Sequence, residues 1–455
     1  MKYNKGFAPM ILLLVVLGVA VVGGVIYYTG KSPKILPQTE ENNSLQENQN
    51  VVNKPVQDNQ IKNTTDNISY IKVDKNNSVV LANNSFAFDV FSKLIKKGEN
   101  TFFSPFSISS AFGMVYEGAN GKTADEIQSV FHFPKDINIL RTSFSSINNE
   151  INKPNSDYQL TIANALWAQK DYKFLDEYFS NVDKYYSGKA TNLDFKNATE
   201  DARLTINKWI EDKTNSKIKD ILPPKSLDTM TKLVLTNAIY FNGKWDKTFD
   251  KKETKADTTF LSDSGNDIKV NMMQQSNDDK TIFNYTENEN SQMLEMPYKG
   301  DKLSMIIVLP KENNITSFEK LFTLSNFDNW KKNLKKQRVN VYIPQFKFGI
   351  KYLMADTLKL MGMPTAFSGN ADFSKMDGTK DLFISSVIHQ AFVDVNEDGT
   401  EAAAATVISM NAGSYFHEGP VIPTFYANHP FLFVIQDTTN GNILFIGKIV
   451  NPSLK

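Results

Sequence analysis

The chain has 455 residues, and 50 Lys plus Arg stand against 50 Asp plus Glu, so no global field recruits nucleic acid or an anionic surface. Cysteine is absent, which excludes thiol nucleophiles, disulfides and thiolate metal sites. The four histidines, His132, His389, His417 and His429, include no pair at a metal-ligand spacing, so neither a metal nor a cofactor is expected.

After a short tail (residues 1–6), Phe7 to Tyr28 runs for 22 residues without a charge. As a helix it would reach about 33 Å, against a hydrocarbon core of about 30 Å, so one transmembrane anchor is expected. A cleaved signal peptide is the rival, but Gly18-Val19-Ala20 is a poor cleavage site with more apolar sequence behind it. Lys2 and Lys5 before the span are matched by Lys31 and Lys34 after it, so charge does not set the orientation. Residues 29–77 are rich in Asn, Gln, Glu, Lys and Thr and read as a disordered polar linker with a reach on the order of 40 Å.

Residues 78–455 are globular in texture and are expected to form one domain. Phe86, Val90, Phe91, Leu94 and Ile95 fall at helical spacing, and Gly98 is expected to stop that helix. Ser107 to Tyr116 and Ala124 to Phe131 also read as helices. Strand-like runs follow at Leu160 to Trp167, Leu233 to Phe241, Leu303 to Leu309, Val339 to Phe346, Phe383 to Val395 and Phe431 to Ile435. Helices first and mostly strands later predict an α+β domain built on antiparallel sheets.

No GxSxG elbow, HExxH pair, GxxxxGK[ST] loop or GxGxxG fingerprint occurs, so the chain does not read as an enzyme. Ser414 and His417 are close in sequence, but without a third partner they read as solvated bystanders. The run KKNLKKQR, Lys331 to Arg338, is read as a solvated helix face, with an anionic-cofactor site as the lesser alternative.

The informative stretch is NEDGTEAAAAT, Asn396 to Thr406. An alanine-rich helical turn is one reading. In the other, alternate residues of an extended strand share a face, so Thr400, Ala402, Ala404 and Thr406 present one small surface able to slide between existing strands.

Here the sequence resembles the serpins, essentially from Val79 to Pro452. The motifs lie in family order: NTFFSPFSISSAFGMVYEGANGKTADEI (Asn100 to Ile127), LTIANALWAQ (Leu160 to Gln169), LTNAIYFNGKWDKTF (Leu235 to Phe249), LEMPYKGDKLSMIIVLP (Leu294 to Pro310), VYIPQFKF (Val341 to Phe348), ADFSKM (Ala371 to Met376), VIHQAFVDVNEDGTEAAAAT (Val387 to Thr406), HPFLFVI (His429 to Ile435) and ILFIGKIVNP (Ile443 to Pro452). The resemblance implies three β-sheets, about nine helices and an exposed reactive-centre loop that a serine or cysteine protease cleaves. In that family the freed loop enters the main sheet and the acylated protease is carried off and distorted, a switch driven by strand insertion.

The resemblance places the hinge at Glu397, Gly399, Thr400, Glu401, Ala402, Ala403, Ala404, Ala405 and Thr406, a shutter at Ser104, Ser107, Asn237 and His389, and a breach at Trp245. The bland readings are satisfied core residues for His389 and Trp245. A family spacing of about seventeen residues from Glu397 puts the scissile bond near Gly413-Ser414, but the loop is long, so Met410, Gly413, Ser414, Tyr415 and Phe416 all remain candidates within 410–418. No Lys or Arg occurs between Lys380 and Lys448, which excludes a trypsin-like target. Thr400→Arg is expected to fold normally yet turn an inhibitor into a substrate. A monomer is expected, tethered with its domain outside the cytoplasm or else secreted, whose partner is a chymotrypsin-like, subtilisin-like or elastase-like protease. A non-inhibitory surface or binding protein is the alternative.

Overall fold

The computed structural model describes residues 76–153, 155–276, 281–400 and 421–454. The expected anchor at 7–28 and nearly all of the 29–77 linker lie outside them, and among the described residues no helix is long and apolar enough to cross a membrane.

In chain order the first half is helical with three long-range strands. It comprises α1 (Ser78–Leu94), β1 (Thr101–Phe103), α2 (Pro105–Gly118), α3 (Gly121–Phe131), α4 (Ile137–Ile151), β2 (Tyr158–Gln169), α5 (Asp176–Tyr186), β3 (Lys189–Leu193) and α6 (Thr199–Lys213). Strands then dominate: β4 (Leu233–Lys244), β5 (Lys255–Leu261), β6 (Asp267–Gln275), β7 (Ile282–Glu287), β8 (Ser291–Pro297) and β9 (Leu303–Pro310). After α7 (Ile315–Phe318) and α8 (Leu324–Lys331) come β10 (Lys335–Arg338), β11 (Asn340–Pro344) and β12 (Phe346–Leu353). The chain closes with α9 (Ala355–Met361), α10 (Ser374–Asp377), β13 (Ser386–Asn396), β14 (Gly399–Thr400), β15 (Thr424–Tyr426), β16 (Phe431–Asp437) and β17 (Ile443–Ile449).

Three sheets result, in the orders β1-β17-β16-β9-β8-β7-β10, β15-β11-β6-β5 and β12-β13-β14-β4-β2-β3. Most neighbours are antiparallel, as expected, but β2–β3, β4–β13 and β11–β15 run parallel. Among the described residues there are ten α-helices, two of them single turns, against the expected nine or so.

The core sits between the sheets and the first helices. Every residue of β9 and β17 is buried, which is why their sequences read as continuous apolar runs without alternation. Helix α2 is buried on almost every side and starts cleanly: Ser104 Oγ accepts from Ser107 N at 3.2 Å, and Pro105 occupies the first turn. Helix α6 builds a second, smaller core. Its Ala202, Ile206 and Ile210 lie on Ala163, Ala165, Ala238 and Ile388, across one face of the six-stranded sheet. Alternate residues Leu166, Leu235 and Ile239 turn to the main core.

Three local expectations need correcting. Helix α1 ends at Leu94 without a glycine cap, because Ile95 is already extended while its N–H bonds Phe91 O, and Gly98 sits in the following turn with φ 74°. The run from Val339 to Phe346 is two strands of different sheets, broken at Pro344-Gln345. The basic run is no helix face: Lys331 ends α8, and Lys335–Arg338 is the outer strand of the seven-stranded sheet, where lysines discourage edge-to-edge pairing.

One buried charge staples three helices. Glu117, near the C-terminus of α2, takes a bidentate pair from Arg141 of α4 at 2.9 and 2.7 Å and a hydrogen bond from Tyr186 Oη of α5 at 2.8 Å. Burial, with the Glu117 charge beside it, pushes the Tyr186 phenol well up, so it remains a donor. Arg141→Ala leaves that carboxylate buried without its charge partner, and a stability loss of about 3–5 kcal/mol is expected, read from the shift in denaturant midpoint. The double change Arg141→Met with Glu117→Leu should recover most of it.

Candidate functional site

Strands β4 and β13 are hydrogen-bonded parallel neighbours over Val234–Tyr240 and Ser386–Phe392. Beyond these pairs they part, and β14 fills the fork, running antiparallel to both: Thr400 stands opposite Val395 and Gly243, and Gly399 opposite Asn396 and Lys244. The approach is close enough to demand glycine, since a Cβ at position 399 would lie 2.1 Å from the Gly243 carbonyl oxygen.

The turn between β13 and β14 is tied down by Trp245, which is 2% exposed. Its indole N–H donates to Asn396 O and its backbone N–H to Asp398 O, each at 3.0 Å. The indole stacks on Tyr298 with centroids 4.6 Å apart, and Tyr298 Oη meets Thr400 Oγ1 at 2.7 Å. Burial raises the Tyr298 phenol far above its ordinary range, so it stays a neutral hydroxyl. The Glu397 carboxylate, also buried, accepts from Thr254 Oγ1 at 2.6 Å and from Gln345 Nε2 at 2.8 Å. Asp398 pairs with Lys251 at 2.8 Å.

Lower in the same seam, His389 of β13 meets Asn237 of β4 through Nδ1 and Oδ1. Ser104 N donates to His389 Nε2 at 3.1 Å, so Nε2 is the acceptor and Nδ1 carries the proton. Asn237 Nδ2 donates to Ser107 O at 2.8 Å and also to the Ser107 hydroxyl and Asn164 Oδ1. Asn164 Nδ2 donates in turn to Ser107 O at 3.3 Å. The start of α2 is thereby joined to β2, β4 and β13.

Thus Ser104, Ser107, Asn237 and His389 come together, and Trp245, Glu397, Gly399 and Thr400 form a second cluster. Residues 401–406 and the candidates Met410, Gly413, Ser414, Tyr415 and Phe416 lie outside the described residues, as does His417. Sequence reading missed Asn164, a polar residue within the apolar run of β2 whose presence there was the available signal. It also missed Tyr298, Gln345 and Thr254, for which no local signal exists. Among the described residues no group of three or more His, Asp or Glu could hold a metal ion.

Burial pushes the His389 imidazole down to about 3 from 6.5. A neutral native histidine gives stability that is fully present above the unfolded value near 6.5 and is lost as pH falls toward 3, because unfolding then takes up a proton. By pH 4 the loss attributable to His389 is about 3 kcal/mol. Burial lowers His429 as well, but that effect is common to both proteins in a comparison. His389→Gln is therefore expected to flatten the acid limb between pH 6.5 and 4 in thermal unfolding. Parallel curves for variant and parent would refute this role.

The chain matches the family described as Serpin (serine protease inhibitor) over residues 81–452. It is 44% identical over 382 residues to an uncharacterized serpin-like protein of Methanosarcina mazei, covering 83% of this chain and 88% of that one. Leukocyte elastase inhibitor A of Rattus norvegicus is 39% identical over 381 residues, covering 82% and 98% respectively. The crystal structure of the thermophilic serpin tengpin in its native state superposes with a TM-score of 0.75 at 28% identity, over 84% of this chain and 96% of that one. A short strand entering the top of a six-stranded sheet and a polar seam beneath it thus accompany sequence similarity over residues 81–452, and the chain belongs to the serpin family, whose fold and membership support a protease-inhibitor type of function.

Proposed function

We propose that the protein is a suicide-substrate inhibitor of a chymotrypsin-like, subtilisin-like or elastase-like serine protease. The observation that carries this reading is the register of β14. Continued downward after cleavage, that register would set Ala402 between Val393 and Phe241, Ala404 between Ala391 and Ile239, and Thr406 between His389 and Asn237. Side chains at 402, 404 and 406 would then point, like Thr400, toward the main core, where small residues enter with least resistance.

In the mechanism, the protease serine attacks a loop carbonyl and the peptide bond breaks, leaving an acyl ester and a free amino end on the C-terminal part. The freed strand advances into the β4–β13 seam, replacing one parallel pairing by two antiparallel ones, which are somewhat stronger per residue. Thr406 would take the place of the direct His389–Asn237 contact. The ester-linked protease is drawn along with the strand before water can release it.

The expectation for Thr400→Arg changes, because Thr400 is already in the sheet and 1% exposed, so arginine there strains the uncleaved protein as well. The cleaner probe is Ala404→Arg. An unpaired cation entering the core costs several kcal/mol, so insertion slows by on the order of a hundredfold and deacylation prevails. We expect the parent to form a detergent-stable complex with one member of a serine and cysteine protease panel, and Ala404→Arg to be cleaved at the same bond while releasing active enzyme. Cleavage with full recovery of protease by the parent across the panel would point to a non-inhibitory serpin.

The uncharged run at 7–28 supports a membrane tether with the inhibitor on the extracytoplasmic side, where such proteases act. The full-length protein is expected to sediment with membranes and to be released by cleavage within 29–77. A mature chain starting near Val21 would instead establish secretion.

A further inference from the structure

A cleft of about 710 Å3 opens beside the hinge, between strands β6 and β12 and the C-terminal residues 452–454. That volume lies in the range of sites for drug-sized ligands. Its apolar lining includes Val270, Phe348, Phe392 and Leu454, the last 45% exposed. The wall nearest the hinge is formed by Gln345 and Asn396. Gln345 is the residue that holds Glu397, and it accepts in turn from Asn271 Nδ2 at 3.0 Å.

Four charges line the cleft. Lys347 and Asp394 neutralise each other at 2.7 Å. Lys269 donates to the Thr259 hydroxyl at 2.9 Å, and among the described residues neither Lys269 nor Asp257 meets an opposite charge within ion-pair distance. A simple anion would answer Lys269 and be opposed by Asp257; a simple cation would do the reverse. A zwitterion answers both.

We propose that this cleft binds a short apolar peptide with both ends free, its ammonium group at Asp257, its carboxylate at Lys269 and its side chains against Phe392 and Leu454. The amides of Asn271 and Asn396 offer donors and acceptors to its backbone. Resting on the inhibitor reading above, the source of such peptides is proteolysis itself. Because Gln345 belongs both to the cleft and to the Glu397 seat, accumulated cleavage products bias the hinge.

The test is titration of the purified full-length protein with leucyl-phenylalanine, its N-acetyl form and its C-terminal amide, followed by calorimetry. The free dipeptide is expected to bind, and each blocked form to bind roughly threefold to fivefold more weakly, since each forfeits one solvent-exposed charge pair. Lys269→Ala should erase the difference between acid and amide, and Asp257→Asn the difference between free and acetylated amine, with thermal midpoints unchanged. Absence of binding at millimolar peptide, or equal binding of the blocked forms, overturns the site. Saturating dipeptide is expected to alter the trapping rate at least twofold, and an unchanged rate with intact binding overturns the link to the hinge. Ala404→Arg, unable to trap, should keep its dipeptide affinity. Peptide binding by a parent that traps no protease would therefore refute the inhibitor reading while upholding the cleft.

Discussion

The rest of the structure depends on a seam that is closed below and open above. Strands β4 and β13 pair directly from Val234 and Ser386 up to Tyr240 and Phe392, and only beyond those pairs does a third strand lie between them. Parallel pairing of this kind needs both faces covered, which the main core provides on one side and α6 on the other. On the α6 side the sheet contributes three alanines, Ala163, Ala165 and Ala238. Small residues there limit the apolar area that separating α6 from the sheet would expose.

At the middle of this seam lies a wholly buried polar network, an unusual choice for a core. His389, Asn237, Asn164, Ser104 and Ser107 are each at most 3% exposed and each is hydrogen-bonded. An apolar seam of the same shape would hold two strands together without directional preference. A hydrogen-bonded one holds them in a single register, because each partner's geometry is specified by direction as well as distance.

Much of this was legible in the sequence, for reasons that differ by element. The strands at Leu303 to Leu309 and Phe431 to Ile435 were visible because buried strands carry near-continuous apolar residues, whereas the four consecutive alanines after Glu401 serve an extended strand and a helix about equally well until the family motifs are recognised around them. What stayed hidden depended on tertiary placement. The break after Pro344 separates two sheets, and nothing in the apolar count of Val339 to Phe346 records a change of sheet. Lys335–Arg338 has the composition of a solvated helix and is an edge strand only because β7 is beside it. Tyr298 is 102 positions from Thr400 in the chain, in ordinary strand sequence, yet meets it because the end of β8 brings the tyrosine against Trp245.

The short parallel pairing of β15 with β11, three residues on each side, follows in sequence the segment where the scissile bond is proposed. Most of what lies downstream of it is core: β16 and β17 occupy the interior of the seven-stranded sheet between β9 and β1, and their residues from Phe431 to Ile435 and Ile443 to Ile449 are buried without exception. A cut at the proposed bond would therefore yield two polypeptides but not two particles. The smaller piece cannot leave without dismantling the sheet it completes, so the nicked molecule persists as a non-covalent heterodimer whose scar is invisible to any method that weighs the folded protein and obvious to any that first denatures it.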